Sequence, residues 1–160
     1  MAEQAQGDQA RRLSRWLDTL DIREALAEHN RAMAANDADR ARRVFLADAR
    51  EGHGPVAGNA RQLAEEFIAN ACDAFGVTVR QILDAKVEVD GDRALSEAAW
   101  FNILQSGEDD MFYVGRYLDR WERRDGAWKI AARVTAVDWW RYERRNERHF
   151  FDGAEAILRH

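Results

Sequence analysis

The sequence has one cysteine, one proline and only two lysines in 160 residues. The lone Cys72 excludes a disulfide framework within the chain and any CxxC zinc or redox site. Schiff-base chemistry has only Lys86 and Lys129 as candidates. Motifs for a nucleotide (GxGxxG), a serine nucleophile (GxSxG) and a zinc protease (HExxH) are also absent from the sequence. We therefore expect no cofactor and no metal ion.

Long apolar runs and a strong positive charge are missing as well. No run of about 18 apolar residues occurs, which argues against a membrane-spanning helix. The first residues, MAEQAQGDQARR, lack the apolar core of a signal peptide. We therefore expect a cytoplasmic protein with no membrane partner. The net charge of -5 makes a nucleic-acid partner unexpected.

The residues that are present suffice for one hydrophobic core, since 46% of them are hydrophobic. A chain of this length buries roughly 70% of its unfolded surface and is typical of a single domain. We divide it into a helical extension at residues 1–20, an α+β domain at residues 21–142 and a C-terminal tail at residues 143–160. The tail is too charged for a further strand.

The helical part of the domain is predicted from capping residues and apolar spacing. A short helix is expected near Leu13–Leu17, and a capping box at Asp21 and Glu24 predicts the start of the next helix. The apolar stripe of that helix places His29 and Asn30 on its buried side, where unpaired polar groups are costly.

Two further helices are expected before the chain turns to strands. Asn36 or Asp37 caps a short helix that runs through Val44 and Phe45. Residues 48–58 contain glycines and the proline, which predicts an irregular segment, opening at most with a short strand. A third helix starts at Asn59 and ends at Gly76, with Leu63, Ala64, Phe67 and Ile68 among its core-facing residues.

From residue 78 onward the hydrophobic period is two, which predicts four long strands at residues 78–89, 93–105, 110–123 and 128–140. Asp90-Gly91 and Asp125-Gly126 are signals for two-residue type I′ hairpins, and residues 106–109 form the remaining reversal. Strands this long must coil or bulge. We therefore predict an α+β cone, in which a strongly curved antiparallel sheet wraps around the N-terminal helices.

A two-residue turn at Asp90-Gly91 would set the register of the first hairpin. Asp84 would then lie opposite Glu97, and Arg80 opposite Phe101, all on one face, with Trp100 on the other. Two facing carboxyl groups repel each other, which raises a carboxyl pKa, and Arg80 could offset that repulsion. Such a group is suited to acid–base chemistry. The alternative is an outward-facing ion-pair lattice.

The second hairpin and one glycine-flanked histidine give further candidates. The register predicts Tyr117 opposite Val134, with Arg133, Thr135 and Trp139 on the reverse face. Tyrosine side chains are plausible walls for an aromatic ligand, although core packing is the simpler role. His53 lies between Gly52 and Gly54, where the backbone could approach a ligand, and a surface turn is the alternative.

Several short motifs resemble those of one known family. Asn36-Asp37, Val44-Phe45, Asp48-Ala49, His53-Gly54 and Gly58 follow one another as in SnoaL-like proteins of the nuclear-transport-factor-2-like superfamily. Residues 87–94, 115–130 and 137–139 are similar to the strand motifs of that family. The resemblance covers about residues 20–142, and it implies the same cone fold.

The subgroup that the chain most resembles contains scytalone dehydratase, bile-acid dehydratase and hexachlorocyclohexane dehydrochlorinase. The resemblance implies cofactorless elimination in a cone-shaped pocket. In that subgroup a Tyr and an Asp of the first long helix act with a His on the strand that enters the sheet. Those positions are His29, Ala34 and Arg80 here, and the Asn that often follows that His is Asp84. The Asp–His dyad is therefore absent.

We hypothesise a cofactor-independent lyase or isomerase acting on a small aromatic or cyclic hydroxylated molecule. His29 is the expected base, Arg80 holds an anionic group, and Asp84 orients Arg80 or delivers a proton. Elimination of water or a retro-aldol cleavage suits this set. The expected substrate-binding residues are Asn30, His53, Glu97, Trp100, Phe101, Tyr117 and Trp139.

The alternative hypothesis is a non-catalytic ligand-binding or accessory protein of the same fold. The missing dyad and the aromatic, arginine-rich segment at residues 139–145 favour it. An open polar cavity that joins His29 and Arg80 would favour chemistry, and a cone filled by side chains would favour the alternative. Both hypotheses predict a homo-oligomer, and the resemblance implies a trimer rather than the dimer common in the wider superfamily.

Overall fold

The computed structural model describes residues 1–76 and 78–145. Three α-helices and a 3-10 turn precede or interrupt six β-strands. The helices are α1 (Ala2–Ala34), α2 (Ala38–Ala41) and α3 (Ala60–Ala74), with the 3-10 turn at Arg42–Val44. The strands are β1 (Phe45–His53), β2 (Val56–Asn59), β3 (Thr78–Asp90), β4 (Arg93–Ser106), β5 (Asp109–Arg124) and β6 (Ala127–Arg144).

The six strands form one curved, open sheet in the order β2-β1-β6-β5-β4-β3. All neighbours are antiparallel except β1 and β6, which are parallel. The concave face packs on α1 and α3 around one main core. Its largest fully buried members are Ile22 and Leu26 of α1, Phe45, Trp121 and Ile130. The predicted α+β cone is confirmed.

The first helix is continuous, so the predicted helix start at Asp21 is wrong. No glycine or proline separates Asp8 from Ala34, and nothing local therefore ends the helix within the extension. Asp18 fastens this part of α1 to the sheet: it accepts a hydrogen bond from Trp128 Nε1 at 3.1 Å and pairs with Arg123 at 2.7 Å. Within the described residues, no helix has the length and apolar character needed to cross a membrane.

Residues 48–58 are mainly strand rather than irregular, which corrects the prediction for this segment. β1 and β2 form a hairpin that reverses at Gly54-Pro55, and β1 also pairs with β6. A parallel partner about 80 residues away leaves no local signal in the sequence, because such pairing depends on chain topology. The sheet therefore has six strands instead of four.

The two predicted Asp-Gly turns differ in geometry. Asp125 and Gly126 have positive φ angles of 53° and 77°, which confirms the predicted type I′ turn. In the first hairpin Asp90 pairs with Arg93, so the turn is Gly91-Asp92. Gly91 alone has a positive φ, 59°, as in a type II′ turn. The predicted register of this hairpin is therefore wrong.

Bulges then reverse which side chains face the core. In β3 the pairing shifts between Ile82 and Asp84, and in the second hairpin it shifts between Arg120 and Trp121. An extra residue in one strand exchanges the inward and outward sets beyond it, because side chains alternate with period two. Arg80 and Arg133 consequently face the interior.

Gly115 of β5 leaves room for the Trp100 ring to pack closely against the neighbouring backbone. The two residues are cross-strand partners, and a Cβ at Gly115 would lie 2.3 Å from the Trp100 ring and 2.1 Å from the carbonyl oxygen of Ala136. Only glycine leaves this space empty. The β6 strand extends to Arg144, further than predicted, and residues 146–160 of the expected tail lie outside the described residues.

Candidate active site

A cavity of about 270 Å³ lies between α1, α3 and the concave face of the sheet. Its polar lining comes from five different elements, and its apolar lining is mainly aromatic. The polar residues are His29, Glu51, His53, Arg80, Asn102, Arg133 and Thr135. The apolar and aromatic residues include Met33, Phe67, Phe75, Trp100, Leu104, Tyr113, Tyr117 and Val137.

His29 is buried in the cavity wall, as the helical periodicity predicted. Its Nδ1 lies 2.9 Å from the carbonyl oxygen of Ala41, so Nδ1 carries the proton and donates. Nε2 is then the unprotonated nitrogen. Burial, followed by the positive charge of Arg133, lowers the pKa of His29 to about 3. The imidazole is therefore neutral at physiological pH and can only accept a proton.

Arg80 enters the cavity from β3, beyond the bulge at Leu83. Among the described residues no carboxylate pairs with it, and its buried Nε has no hydrogen-bond partner. Burial lowers the pKa of Arg80. An arginine nevertheless stays charged, since its ordinary pKa is above about 12. The cavity thus contains a desolvated cation without a protein counter-ion in the described part of the chain.

Two buried polar atoms of β4 are unpaired in the same way as Arg80 Nε. Trp100 Nε1 and Asn102 Oδ1 have no hydrogen-bond partner among the residues described here. Both side chains face inward, because Trp100 and Asn102 are two residues apart on one strand. A buried group left unpaired costs about 1–3 kcal/mol. Together with Arg80 Nε they offer a guest two donors and one acceptor.

A buried ion pair forms the floor of the cavity on the β5 and β6 side. Arg133 Nε and Nη2 donate to the two carboxylate oxygens of Asp119 at 2.7 and 2.8 Å. Both side chains are at most 1% exposed. The Arg133 guanidinium stacks 4.0 Å from the Tyr117 ring centre, and the Tyr117 hydroxyl reaches Asn30 Oδ1 at 3.4 Å. Arg133 was predicted on the opposite face, and the bulge in β6 reverses it.

Glu51 and His53 project into the cavity from β1. They are two residues apart on one strand, which places both side chains on the same face. Nδ1 of His53 lies 3.6 Å from Oε1 of Glu51, and the Thr135 hydroxyl donates to the same oxygen at 2.8 Å. Sequence reasoning missed Glu51 because residues 48–58 were interpreted as irregular. The signal that could have revealed it is its two-residue spacing from His53.

Asp84 and Glu97 lie outside the cavity, which corrects their predicted position beside Arg80. Asp84 is at the bulge, its side chain is 78% exposed, and it pairs with Arg23 of α1 at 3.2 Å. Glu97 is opposite Lys86 and lies 3.3 Å from Arg116 on the outer face. The predicted pairing of the two carboxyl groups is wrong because the turn lies one residue later, at Gly91-Asp92, so Asp84 pairs with Ala99; the bulge at Leu83 then separates Asp84 from Arg80.

The remaining predicted ligand-binding residues separate into two groups. His53, Trp100 and Tyr117 line the cavity. Asn30 is 1% exposed and sits behind Tyr117, with its Nδ2 unpaired among the described residues. Phe101 and Trp139 do not line the cavity: Phe101 faces away from Trp100 and stacks on Phe112 at 6.4 Å, and Trp139 is 49% exposed.

In the part of the chain that the structure describes, no group of three or more His, Cys, Asp or Glu side chains could hold a metal ion. The cavity instead combines a neutral imidazole, two guanidinium groups, an imidazole–carboxylate pair and unpaired donors. Such a set can bind an oxygen that carries negative charge and can transfer protons.

Comparisons with known proteins agree with this architecture. The sequence profile of the SnoaL-like domain family matches residues 14–134. A Mycobacterium tuberculosis protein of unknown function is 23% identical, with a TM-score of 0.71, over 78% of this chain and 74% of that protein. A scytalone dehydratase-like protein of Novosphingobium aromaticivorans is 15% identical, with a TM-score of 0.75, over 82% of this chain and 91% of the other.

A hexachlorocyclohexane dehydrochlorinase (LinA) of Novosphingobium barchaimii is 16% identical, with a TM-score of 0.73, over 88% of this chain and 99% of the enzyme. At such low identities the structural similarity shows a shared fold and not a shared activity. Among curated proteins, none matches the sequence.

Proposed function

Because the chain belongs to the SnoaL-like domain family, we propose that it is a cofactor-independent lyase or isomerase. Its substrate is a small aromatic or cyclic hydroxylated molecule that binds in the cavity. One observation carries this proposal: His29 and Arg80 line the same cavity, and Arg80 has no counter-ion among the described residues. A proton acceptor and an unpaired cation are the two groups that enolate or phenolate chemistry needs.

Arg80 is the proposed anion-binding residue. The desolvation of its guanidinium is compensated when a negatively charged oxygen binds, and the Trp100 Nε1–H group supplies a second donor. Electrostatic stabilisation by fixed donors is strong in a site that excludes water. The substrate therefore carries a carbonyl or phenolic oxygen on which negative charge develops during the reaction.

His29 is the proposed base. Burial and the positive charges of Arg133 and Arg80 oppose its protonation. A substrate oxygen that becomes negative beside Arg80 offsets these positive charges, so the proton affinity of Nε2 rises as the reaction proceeds. Proton removal and anion formation are thus coupled, which favours the transition state over the ground state.

The cavity walls determine the size and polarity of the substrate. A volume of about 270 Å³ is at the lower end for ligand sites, which favours a compact ring system. Trp100 and Tyr117, whose ring centres are 5.6 Å apart, supply flat apolar surfaces. Asn102 Oδ1 accepts a hydrogen bond from a substrate hydroxyl.

Elimination of water and retro-aldol cleavage both fit these groups. In an elimination the base takes a proton from the carbon next to the carbonyl, and the electron pair forms the new double bond as the hydroxyl leaves. In a retro-aldol cleavage the base takes a hydroxyl proton, and the released carbanion becomes an enolate or phenolate. Each reaction needs a base and an oxyanion partner and no external oxidant or reductant.

The test is a ligand screen followed by a turnover assay. Phenolic diols, hydroxy acids and steroids are screened by thermal shift, since a ligand of the folded state raises its apparent stability. Each ligand is then incubated with the protein, and products are separated by chromatography. His29→Asn and Arg80→Gln should each lower turnover at least about 100-fold. Asp84→Asn, on the same strand as Arg80 but outside the cavity, should leave turnover unchanged.

A ligand-binding protein without catalytic activity is the second candidate. It is supported by the absence of the family dyad, since Ala34 and Arg80 occupy the Asp and His positions that the resemblance implies. Saturable binding of a screened ligand with no product, together with weaker binding by Arg80→Gln, would favour this function over the lyase.

We also propose that the protein forms a homo-oligomer, with a trimer favoured over a dimer. The outer face of the sheet exposes Leu83, Leu95, Leu118 and Val134, each between 39% and 62% exposed. An apolar face of this kind is typical of an interaction surface. Light scattering coupled to size-exclusion chromatography gives the mass, and a monomer at micromolar concentration would contradict the proposal.

A further inference from the structure

We propose that His53, held by Glu51, is the proton donor to the leaving group. The inference rests on the proposed lyase function. An elimination of water needs a donor, because hydroxide is a poor leaving group. Asp84 and Glu97, which the sequence suggested for proton transfer, lie outside the cavity. His29 is neutral, and its one ring proton is held in the hydrogen bond from Nδ1 to the Ala41 carbonyl oxygen. Before the reaction it therefore has no second proton to give.

The geometry at β1 provides the donor. His53 lines the cavity, and its Nδ1 lies 3.6 Å from Oε1 of Glu51. A carboxylate on one ring nitrogen fixes the ring orientation and the position of its proton. Nε2 is therefore the nitrogen that remains for the substrate. The contact is longer than a typical hydrogen bond, as is common for catalytic pairs before substrate binds.

Glu51 is itself fixed and charged. The Thr135 hydroxyl donates to Oε1 at 2.8 Å, and Arg133 lies directly across from Glu51 in the sheet. Burial alone would raise the pKa of Glu51, but the nearby His53 ring, the positive charge of Arg133 and the hydrogen bond from Thr135 outweigh it, so the pKa is lowered. The charged carboxylate therefore lies beside the Nδ1 side of the His53 ring.

The two cavity histidines have opposite environments. His29 is 5% exposed, whereas the His53 side chain is 38% exposed and contacts the Phe67 ring in a tilted arrangement, with 4.7 Å between ring centres. A histidine in contact with solvent regains a proton after each turnover.

In the proposed elimination, each proton and electron pair has a defined destination. The carbon–hydrogen bond next to the carbonyl breaks, and its proton goes to Nε2 of His29 while Arg80 holds the enolate oxygen. The enolate electron pair then forms the carbon–carbon double bond as the carbon–oxygen bond breaks. His53 reacts in its imidazolium form, with Nδ1–H toward Glu51, and its Nε2 proton goes to the departing oxygen, which leaves as water. Solvent returns a proton to His53 and takes one from His29.

A pair of probes that differ only in the leaving group tests this assignment. The full chain is assayed with 3-hydroxycyclohexanone and with 3-chlorocyclohexanone, and the enone product is followed by its ultraviolet absorbance. Chloride leaves without a proton. His53→Asn should therefore lower kcat about 100-fold with the hydroxy probe and only a few-fold with the chloro probe. His29→Asn should lower kcat with both probes.

Glu51 is a positioning residue in this scheme, and its variant has its own readout. Glu51→Gln should lower kcat about tenfold for the hydroxy probe, with KM unchanged and a smaller effect on the chloro probe. Arg50→Gln is the matched control, because Arg50 is the exposed neighbour of Glu51 on β1. Urea unfolding of each variant shows whether the fold is intact, and His53→Gln provides a second substitution if His53→Asn is unstable.

The outcomes separate the two proposals. Equal losses with both probes, or no loss with the hydroxy probe, would overturn the role of His53 while the lyase function stands. If the unmodified protein forms enone from neither probe, the lyase function is overturned, and the inference with it.

Discussion

The two faces of the sheet carry the same kinds of charged residue in opposite surroundings. On the concave face Arg133 and Asp119 are at most 1% exposed and make two hydrogen bonds. On the convex face Arg116 also makes two hydrogen bonds to one carboxylate, that of Asp138, but the two side chains are 43% and 40% exposed. The two-bond geometry is similar, and the main difference is exposure to solvent, although Arg116 also contacts Glu97 at 3.3 Å.

This comparison shows that desolvation decides what a charge does in this protein. Exposed ion pairs are screened by water and contribute little. In the cavity, an unpaired cation such as Arg80 favours an anionic guest. Variants that alter one face and then the other test the contrast.

The largest effect is expected for the buried pair. Asp119→Asn leaves the Arg133 charge buried without a counter-charge, which should lower the free energy of unfolding by about 3–5 kcal/mol. Asp138→Asn removes the matching exposed carboxylate and should have no measurable effect. Urea denaturation of both variants gives the comparison, and equal losses would show that burial does not distinguish the two faces.

The next effect concerns the packing of the cavity wall. Gly115→Ala places a methyl group against the Trp100 ring and the Ala136 carbonyl oxygen, so Trp100 must move. Overpacking of this kind should cost about 2–3 kcal/mol and shift the tryptophan fluorescence. Gly52→Ala is the control, since nothing lies within 4 Å of its added Cβ and its φ is not positive. An unchanged midpoint for Gly115→Ala would contradict the close contact.

The smallest effect, measured per pH unit, is the pH dependence caused by His29. Its pKa is about 3 in the folded protein and about 6.5 when unfolded, so the unfolded state binds the proton first as the pH falls. The stability from this group is complete above about pH 6.5 and decreases by about 1.4 kcal/mol per unit toward pH 3.

His29→Asn has no proton to bind at this position, so its stability should decrease less steeply. Urea unfolding at pH 7, 6, 5 and 4 measures both slopes, and the contribution of Glu51 is common to the two proteins. Parallel slopes would show that His29 is not desolvated in the folded state.

Much of the fold could be predicted from local patterns. Three helices, the four long strands and the turn at Asp125-Gly126 follow from capping residues, periodicity and turn chemistry. The burial of His29 and Asn30 follows from their place on the apolar stripe of α1. These features depend on neighbours a few positions away, and such interactions are encoded locally.

The candidate site was predicted less well. His29, Arg80, His53, Trp100 and Tyr117 were identified and line the cavity. Glu51 was missed because β1 is defined by its distant partner β6, and Arg133 and Asn102 were not singled out as cavity residues. Asp84 and Glu97 were placed beside Arg80 because the turn was positioned one residue too early and the bulge at Leu83 was not predicted.

The sequence by itself determined which segments become helix and strand and which polar residues fall on apolar faces. The tertiary structure alone decided which of the charged residues lie in the cavity. The bulge at Leu83 turns Arg80 inward and leaves Asp84 outside, and the bulge in β6 turns Arg133 inward. A bulge forms where a long strand must bend around the helices, so its position depends on the packing of the whole sheet.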